Sequence, residues 1–202
     1  QAGTALVSRA TISLLPEVDY TPAAIEARVA ELSVGLPAGD SISGSVDASI
    51  DRRQASQPVS FTAAFEGRVV DALRAYTPVN TGPLSFSTEL QGRLNGNLLQ
   101  VNRATVIANR DNGLLFAAET AQAVTFNTAS SAITANNPTA TALRLRLGEI
   151  PLTWAQPYLV NATVAGRITG GGFDVTFHSP EQLAVSTTSP LGIAGASYAA
   201  DG

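Results

Sequence analysis

The sequence contains no cysteine, no methionine and no lysine, so all twelve of its basic side chains are arginine. Without cysteine the chain cannot carry a thiol nucleophile, a disulfide framework, an iron–sulfur cluster or a cysteine-ligated zinc. Without lysine it cannot form a Schiff base or the phosphate-binding loop that ends in Gly-Lys. These absences exclude several large enzyme classes before any motif is considered.

Charge is also scarce, since charged residues make up 14% of the 202 residues and the formal net charge is −4. The arginines are scattered apart from Arg52–Arg53 and the pair Arg144 and Arg146, so no basic stripe forms and we expect no nucleic-acid partner. No apolar run approaches the ~20 residues that span a bilayer, so we expect no transmembrane segment. Because Met is missing and Gln1 suits a processed N-terminus, we expect an exported protein, periplasmic or extracellular.

The few candidate reactive residues do not form a recognisable site. His178 is the only histidine, and no G-x-S-x-G nucleophile elbow is present. The acids Asp40, Asp47, Asp51 and Asp71 lack the spacing of a calcium-binding loop. We therefore expect a protein that is not an enzyme, with no catalytic residue, no metal site and no cofactor.

Alternation of apolar and polar residues is the dominant pattern, and it is typical of antiparallel strands with one apolar and one polar face. It predicts a mainly β fold of nine to eleven strands, in antiparallel sheets that are either elongated and curved or packed as a sandwich. Residues 1–202 form a single β-rich domain or a fragment of a larger protein built from repeats. The residues predicted to line the apolar face, for contact with lipid or a partner, are Phe61, Phe65, Leu84, Phe86, Leu90, Leu143, Leu145, Leu147, Phe173, Val175 and Phe177.

Turn residues separate these predicted strands. Asp111-Asn112-Gly113 is the strongest hairpin signal, because Asn and Gly tolerate positive φ. Turns are also predicted at Gln54–Gln57, Asn95–Asn97 and Ser179–Glu181. The run Gly170–Gly172 is interpreted as a turn or β-bulge, because neither a helix start nor a lysine follows it.

One N-terminal helix is predicted near residues 22–34. Thr21-Pro22 resembles a helix start, Gly35 and the following Pro resemble a stop, and three apolar residues recur at helical spacing: Ile25, Val29 and Leu32. One or two short helical turns are predicted within residues 69–76 and 151–159.

A short pattern of the form apolar-x-Gly-Arg-apolar occurs at Phe65–Val69, Leu90–Leu94 and Val164–Ile168. The segment Ile42–Val46 is similar but lacks the arginine. Recurrence at this spacing predicts an elongating β-structure in which each unit needs its neighbours for burial. The alternative is that glycine recurs by chance where strands bend.

From residue 41 to residue 198 the chain resembles the AsmA-like and TamB-like envelope proteins. The resemblance depends on alternating strands that end in Gly-Arg or Gly-x-apolar units. It depends more on Leu143–Leu159, which looks like the family's strand and short helix before a strand that reaches Gly166 and Gly170. The family is attributed to lipid traffic between the membranes of diderm bacteria. The resemblance implies a long, twisted, groove-shaped sheet whose concave apolar face holds acyl chains.

Three function hypotheses follow. The first is a non-enzymatic cell-envelope β-protein whose apolar sheet face handles lipid acyl chains or serves as a scaffold. The second is a structural or accessory subunit of a surface layer, a filament or a membrane-associated complex, because a weakly charged surface favours association with other subunits. The third and least favoured is a carbohydrate-binding module, since aromatic residues are only 6% of the chain and carbohydrate-processing sites use a carboxylate pair.

Overall fold

The computed structural model describes residues 10–36, 39–71 and 78–200. These residues form one large, open antiparallel sheet of thirteen strands with one short 3₁₀ helix, Leu152–Tyr158. The strands are β1 (Thr11–Tyr20), β2 (Ala24–Gly35), β3 (Ser41–Asp51), β4 (Val59–Val69), β5 (Leu84–Asn95), β6 (Leu98–Arg110), β7 (Gly113–Thr120), β8 (Val124–Asn127), β9 (Ala132–Ala135), β10 (Leu143–Leu147), β11 (Ile150–Pro151), β12 (Ala162–Ser179) and β13 (Gln182–Ala200).

The strands follow one another as a meander, in which β1 to β7 pair in sequence order and β10 and β12 continue the sheet. Strand β6 pairs with β7 along one part and with β8 along the other. Strand β9 pairs with β8, and β10 pairs with β7. β7 and β8 are thus two parts of one interrupted strand, and β10 and β11, which both pair with β12, are likewise separated by only two residues. These two interruptions account for thirteen strands where nine to eleven are predicted. The mainly β prediction is confirmed, and the sheet is open rather than a sandwich.

The predicted turns connect neighbouring strands. Asp111 and Asn112 have φ of 49° and 64°, as a two-residue hairpin turn between β6 and β7 requires. Gly96, with φ of 57°, turns the chain from β5 to β6, and Gln57, with φ of 44°, lies between β3 and β4. The segment Gly170–Gly172 lies inside β12, where the register with β13 shifts, so the bulge interpretation is confirmed.

The predicted helix near residues 22–34 is wrong, because residues 24–35 form strand β2. β2 pairs with β1 on one side and with β3 on the other. Ile25 and Val29 lie on the same face because an even number of residues separates them along the strand. A bulge between Val29 and Leu32 then returns Leu32 to that face. Because of the bulge, the apolar residues of β2 recur at the spacing typical of a helix although the segment is a strand.

The short helical turn predicted within 151–159 is confirmed by the 3₁₀ helix. The side chain of Gln156 fastens this helix to the start of β12. Its Nε2 donates to the Ala162 carbonyl oxygen at 2.6 Å, and its Oε1 accepts from the Val164 amide at 2.9 Å. The other helical turn is predicted within residues 69–76, and most of it, residues 72–76, lies outside the described residues.

Large apolar side chains are never fully enclosed in the described part of the chain. Those classed as buried are mostly small: Val79, Ala108, Leu115, Ala117, Ala142, Ala162 and Val175. A globular domain of two layers buries its apolar sheet faces between the layers. Here a single sheet leaves its larger apolar side chains half-buried on one face.

Candidate functional site

All of the predicted apolar-face residues lie on the same face of the sheet. Directly opposite residues of paired strands project to the same side. From β5, Phe86 is opposite Ala108, Ala108 is opposite Phe116, and Phe116 is opposite Leu147. The line continues from β10 into β12, where Leu145 is opposite Phe173. The apolar face, meaning the side of the sheet that carries these residues, therefore runs from β4 to β12.

The neighbouring strands extend this face toward one edge. Phe61 of β4 is opposite Ala48 of β3, and Ile25 of β2 is opposite both Ile50 of β3 and Tyr20 of β1. The exposed residues Ile12, Leu14 and Val18 of β1 belong to the same face; Val18, for example, is 69% exposed. They were not among the residues predicted from the sequence. Every second residue of β1 nevertheless lies on this face, because the bulge opposite Leu15 and Pro16 belongs to β2 and leaves the alternation of β1 intact.

Polar groups are almost absent from the central part of the apolar face. Across β3, β4 and β5, Thr88 is the only polar side chain that the register places there. Val175 is buried, and the other predicted residues are half-buried. Such a face makes contacts through its apolar area rather than through directional hydrogen bonds.

Three phenylalanine rings lie over glycines of the adjacent strand. Gly44 is opposite Phe65, Gly67 is opposite Phe86 and Gly92 is opposite Phe61. A Cβ atom on each glycine would lie 2.6, 2.6 and 2.7 Å, respectively, from an atom of that ring. A glycine inside a strand is weakly packed on its own, and an aromatic ring across the strand pair compensates for it.

These pairs give part of the glycine repeat a physical meaning. Gly67 and Gly92 both belong to apolar-x-Gly-Arg segments, but Gly44 has the same ring contact without a following arginine. The third repeat differs, because Gly166 has φ of 111° and lies at a register shift in β12. The shared feature of β3, β4 and β5 is therefore the glycine under a phenylalanine ring.

The opposite face, called here the polar face, carries ion pairs between neighbouring strands. The Arg28 and Asp47 side chains approach to 3.3 Å between β2 and β3, and Arg103 and Glu89 to 3.4 Å between β5 and β6. These side chains are more than half exposed. Exposed pairs of this kind contribute about 0–1 kcal/mol each, so the polar face is well hydrated rather than tightly bound together.

An open depression of about 600 Å³ also lies on the polar face, between β1 and β6. Its lining includes acids, such as Glu17 and Glu26, together with Arg93 and the Arg28–Asp47 pair. Charges of both signs are mixed there, so the depression offers neither an apolar surface nor a field of one sign. Of the predicted apolar-face residues, its lining includes Phe61 alone.

The turn between β3 and β4 is held by a polar network. Asp51 accepts hydrogen bonds from the Arg53 side chain and backbone and from Gln54. These bonds stabilise the carboxylate, first of all the one from the Arg53 side chain, and lower the pKa of Asp51. Nearby, the Arg52 guanidinium contacts Tyr20 at the end of β1. The network anchors the end of edge strand β1 rather than building a reactive site.

His178 lies outside any catalytic arrangement that the structure shows. It is exposed at the end of β12, and its Nδ1 lies 2.9 Å from the Pro138 carbonyl oxygen. Within residues 10–36, 39–71 and 78–200, no group of three or more His, Asp or Glu side chains has a geometry that could hold a metal ion. The same residues include no helix with the length and apolar character needed to cross a membrane.

No family model, curated protein or solved structure matches this chain. The resemblance to the AsmA-like and TamB-like proteins therefore stays a prediction, and the function has to be argued from the sheet itself.

Proposed function

We propose that this protein is a non-enzymatic β-protein whose apolar sheet face binds the acyl chains of lipids. The observation that supports this proposal is the continuous apolar face, which remains half-exposed across β3, β4 and β5 with Thr88 as its only polar side chain. An acyl chain has no hydrogen-bonding groups, so it needs only apolar contact. Covering such a surface contributes about 25 cal/mol per Å² of apolar area.

The dimensions of the face suit this ligand. Neighbouring strands are about 4.8 Å apart, so β3 to β6 cover roughly 15 Å. That is about half the ~30 Å hydrocarbon core of a bilayer, or the depth that one acyl chain occupies. A chain lying across these strands would contact the phenylalanine ring of the row that it crosses, since Phe61 and Phe65 are about 13 Å apart along β4.

A pair of substitutions on neighbouring residues of β5 tests the proposal. Leu90 lies on the apolar face, whereas Gln91 is exposed on the polar face. Binding of a fluorescent palmitate analogue is titrated with the unmodified protein, with Leu90→Glu and with Gln91→Glu. We expect Leu90→Glu to weaken binding at least about tenfold, since one buried charge easily exceeds the 1.4 kcal/mol of a tenfold change.

The matched control carries the same new side chain on the other face. Gln91→Glu should bind the probe like the unmodified protein. Equal binding by both variants, or no binding by the unmodified protein, would contradict the proposal. Circular dichroism of both variants shows whether the sheet is retained.

A structural subunit of a larger assembly is a second candidate function. The observation that favours it is edge strand β13, whose residues 182–191 are all exposed and which pairs only with β12 in the part of the chain that the structure describes. An exposed edge presents backbone N–H and C=O groups to another strand. This candidate is tested by the state of association rather than by lipid binding.

A further inference from the structure

The edge strands β1 and β13 differ in how they resist pairing with another strand. Strand β1 carries Pro16 and the acids Glu17 and Asp19, and its register with β2 shifts at a bulge of β2 opposite Leu15 and Pro16. Proline, bulges and charges are the devices by which edge strands avoid adding a further strand. β1 is therefore a protected edge.

Strand β13 has few of these devices in its first part. None of its 19 residues is charged. Leu183–Thr187, called here the free edge segment, pairs regularly with Phe173–Phe177 of β12, without a bulge inside it. The nearest prolines, Pro180 and Pro190, both lie outside the segment. The free edge segment thus presents exposed and regularly extended backbone.

We propose that the free edge segment pairs with the same segment of a second copy of this chain. A two-fold axis normal to the sheet places the two segments side by side and antiparallel. Such an isologous contact closes after two copies, as in the commonest protein dimers. For the second candidate function, a structural subunit of an assembly, this inference names the partner as a second copy of the chain. It does not depend on acyl-chain binding.

The chemistry of the segment suits a copy of itself. Because the segment is uncharged, no like charges face each other when it pairs with its own copy. A charged peptide would find no complementary charge along it. The same axis keeps the apolar faces of both copies on one side. With the axis at the centre of the segment, Val185 lies opposite its own copy and Leu183 lies opposite Thr187 of the copy; Leu183 and Val185 are 61% and 58% exposed in the single chain.

The geometry also indicates where to break the contact without unfolding the sheet. Ala184 and Ser186 lie on the polar face, opposite Thr176 and Asp174 of β12. Lysine at position 186 would lie beside the Asp174 carboxylate, so it is compatible with the fold. In the dimer, however, the double variant Ala184→Lys/Ser186→Lys would bring four ammonium groups to one strand pair.

The experiment measures molar mass by sedimentation over a range of protein concentrations. We expect the unmodified protein to approach twice 20.8 kDa as the concentration rises, and the double lysine variant to dissociate at least about tenfold more readily. The matched control Thr11→Lys/Ser13→Lys places the same charges on the polar face of β1 and should dimerise like the unmodified protein.

A monomer at every concentration would overturn the proposal, as would equal weakening by both lysine pairs. Growth into a series of larger species would also overturn it, because a two-fold contact between β13 strands closes at two copies. If the β13 variant does not fold, hydrogen exchange of the unmodified protein tests the dimer instead. Protection of amides in 183–187 should rise with protein concentration, and unchanged protection would contradict the dimer. Neither result affects the palmitate titration.

Discussion

The two faces of the sheet have the same backbone but opposite relations to water. On the polar face, charge lies in exposed cross-strand pairs such as Arg28–Asp47 and Arg103–Glu89. On the apolar face, aliphatic and aromatic side chains are left half-exposed, at a cost of about 25 cal/mol for each Å² of apolar area in contact with water. The comparison teaches that only the apolar face gains strongly from being covered, so it is the place to look for a ligand.

The largest expected effect comes from adding one methyl group under a ring of the apolar face. A Cβ at Gly67 would lie 2.4 Å from the Ser41 carbonyl oxygen and 2.6 Å from Phe86 Cζ. Because the backbone oxygen cannot move aside freely, we expect Gly67→Ala to lower the free energy of unfolding by about 1–3 kcal/mol. Urea denaturation measures this change.

The control for Gly67→Ala is Gly35→Ala at the end of β2, where an added Cβ meets nothing within 4 Å. Its stability should stay within about 0.5 kcal/mol of the unmodified protein, as for a typical surface substitution. If both alanine variants were equally stable, the packing of rings over glycines would not contribute as described.

Adjacent residues of β10 compare the two faces directly. Leu145 is half-buried between Ala118 and Phe173, whereas Arg144 is exposed on the polar face. We expect Leu145→Ala to cost about 1–2 kcal/mol, less than for a fully enclosed leucine, because part of its surface is already in water. Arg144→Ala should cost at most about 0.5 kcal/mol. Thermal unfolding measures the stability of both variants. A greater loss of stability in Arg144→Ala than in Leu145→Ala would contradict this difference between the faces.

A smaller effect is expected for the ion pairs of the polar face. Glu89→Gln removes the partner of Arg103 from an exposed pair, so its cost should be below about 1 kcal/mol. The difference from the unmodified protein should shrink at high salt, since added salt screens exposed charges. A large cost that persists in concentrated salt would show that the polar face is more tightly built than its exposure indicates.

The smallest effect concerns pH and the turn between β3 and β4. The pKa of Asp51 is lowered, mainly by the hydrogen bond from the Arg53 side chain. A lowered folded-state pKa stabilises the protein above the unfolded pKa, and this contribution is lost as the pH falls through the folded value. The cost of Asp51→Asn should therefore be small at neutral pH, should begin to fall at about pH 4 and should disappear once the pH is below the folded-state pKa. An equal cost at both pH values would contradict this assignment.

The local parts of the fold were predictable from sequence, because each depends on neighbouring residues. The positive-φ turn at Asp111–Gly113 and the alternation along β4 and β5 are of this kind. β2 was mistaken for a helix because the bulge after Val29 shifts the apolar spacing by one residue. β1 was not predicted, although Ile12, Leu14 and Val18 alternate with polar residues along it, because the neighbouring segment that pairs with it was interpreted as a helix.

The sequence predicts which residues line the apolar face, but it does not predict how they are arranged there. The apolar-face residues were found from alternation, yet the same pattern suits the core of a sandwich as well as one face of an open sheet. The ring contacts over Gly44, Gly67 and Gly92 depend on register between strands far apart in sequence. In the sequence, only the spacing of the glycines indicates these ring contacts.

The central claim is that the apolar face binds acyl chains, and native mass spectrometry of the protein purified without detergent from bacterial cells tests it most directly. We predict added masses that match membrane lipids or fatty acids, identified by extraction, and their loss from Leu90→Glu but not from Gln91→Glu. A protein that carries no lipid and takes up none from phosphatidylethanolamine and phosphatidylglycerol vesicles would contradict the account.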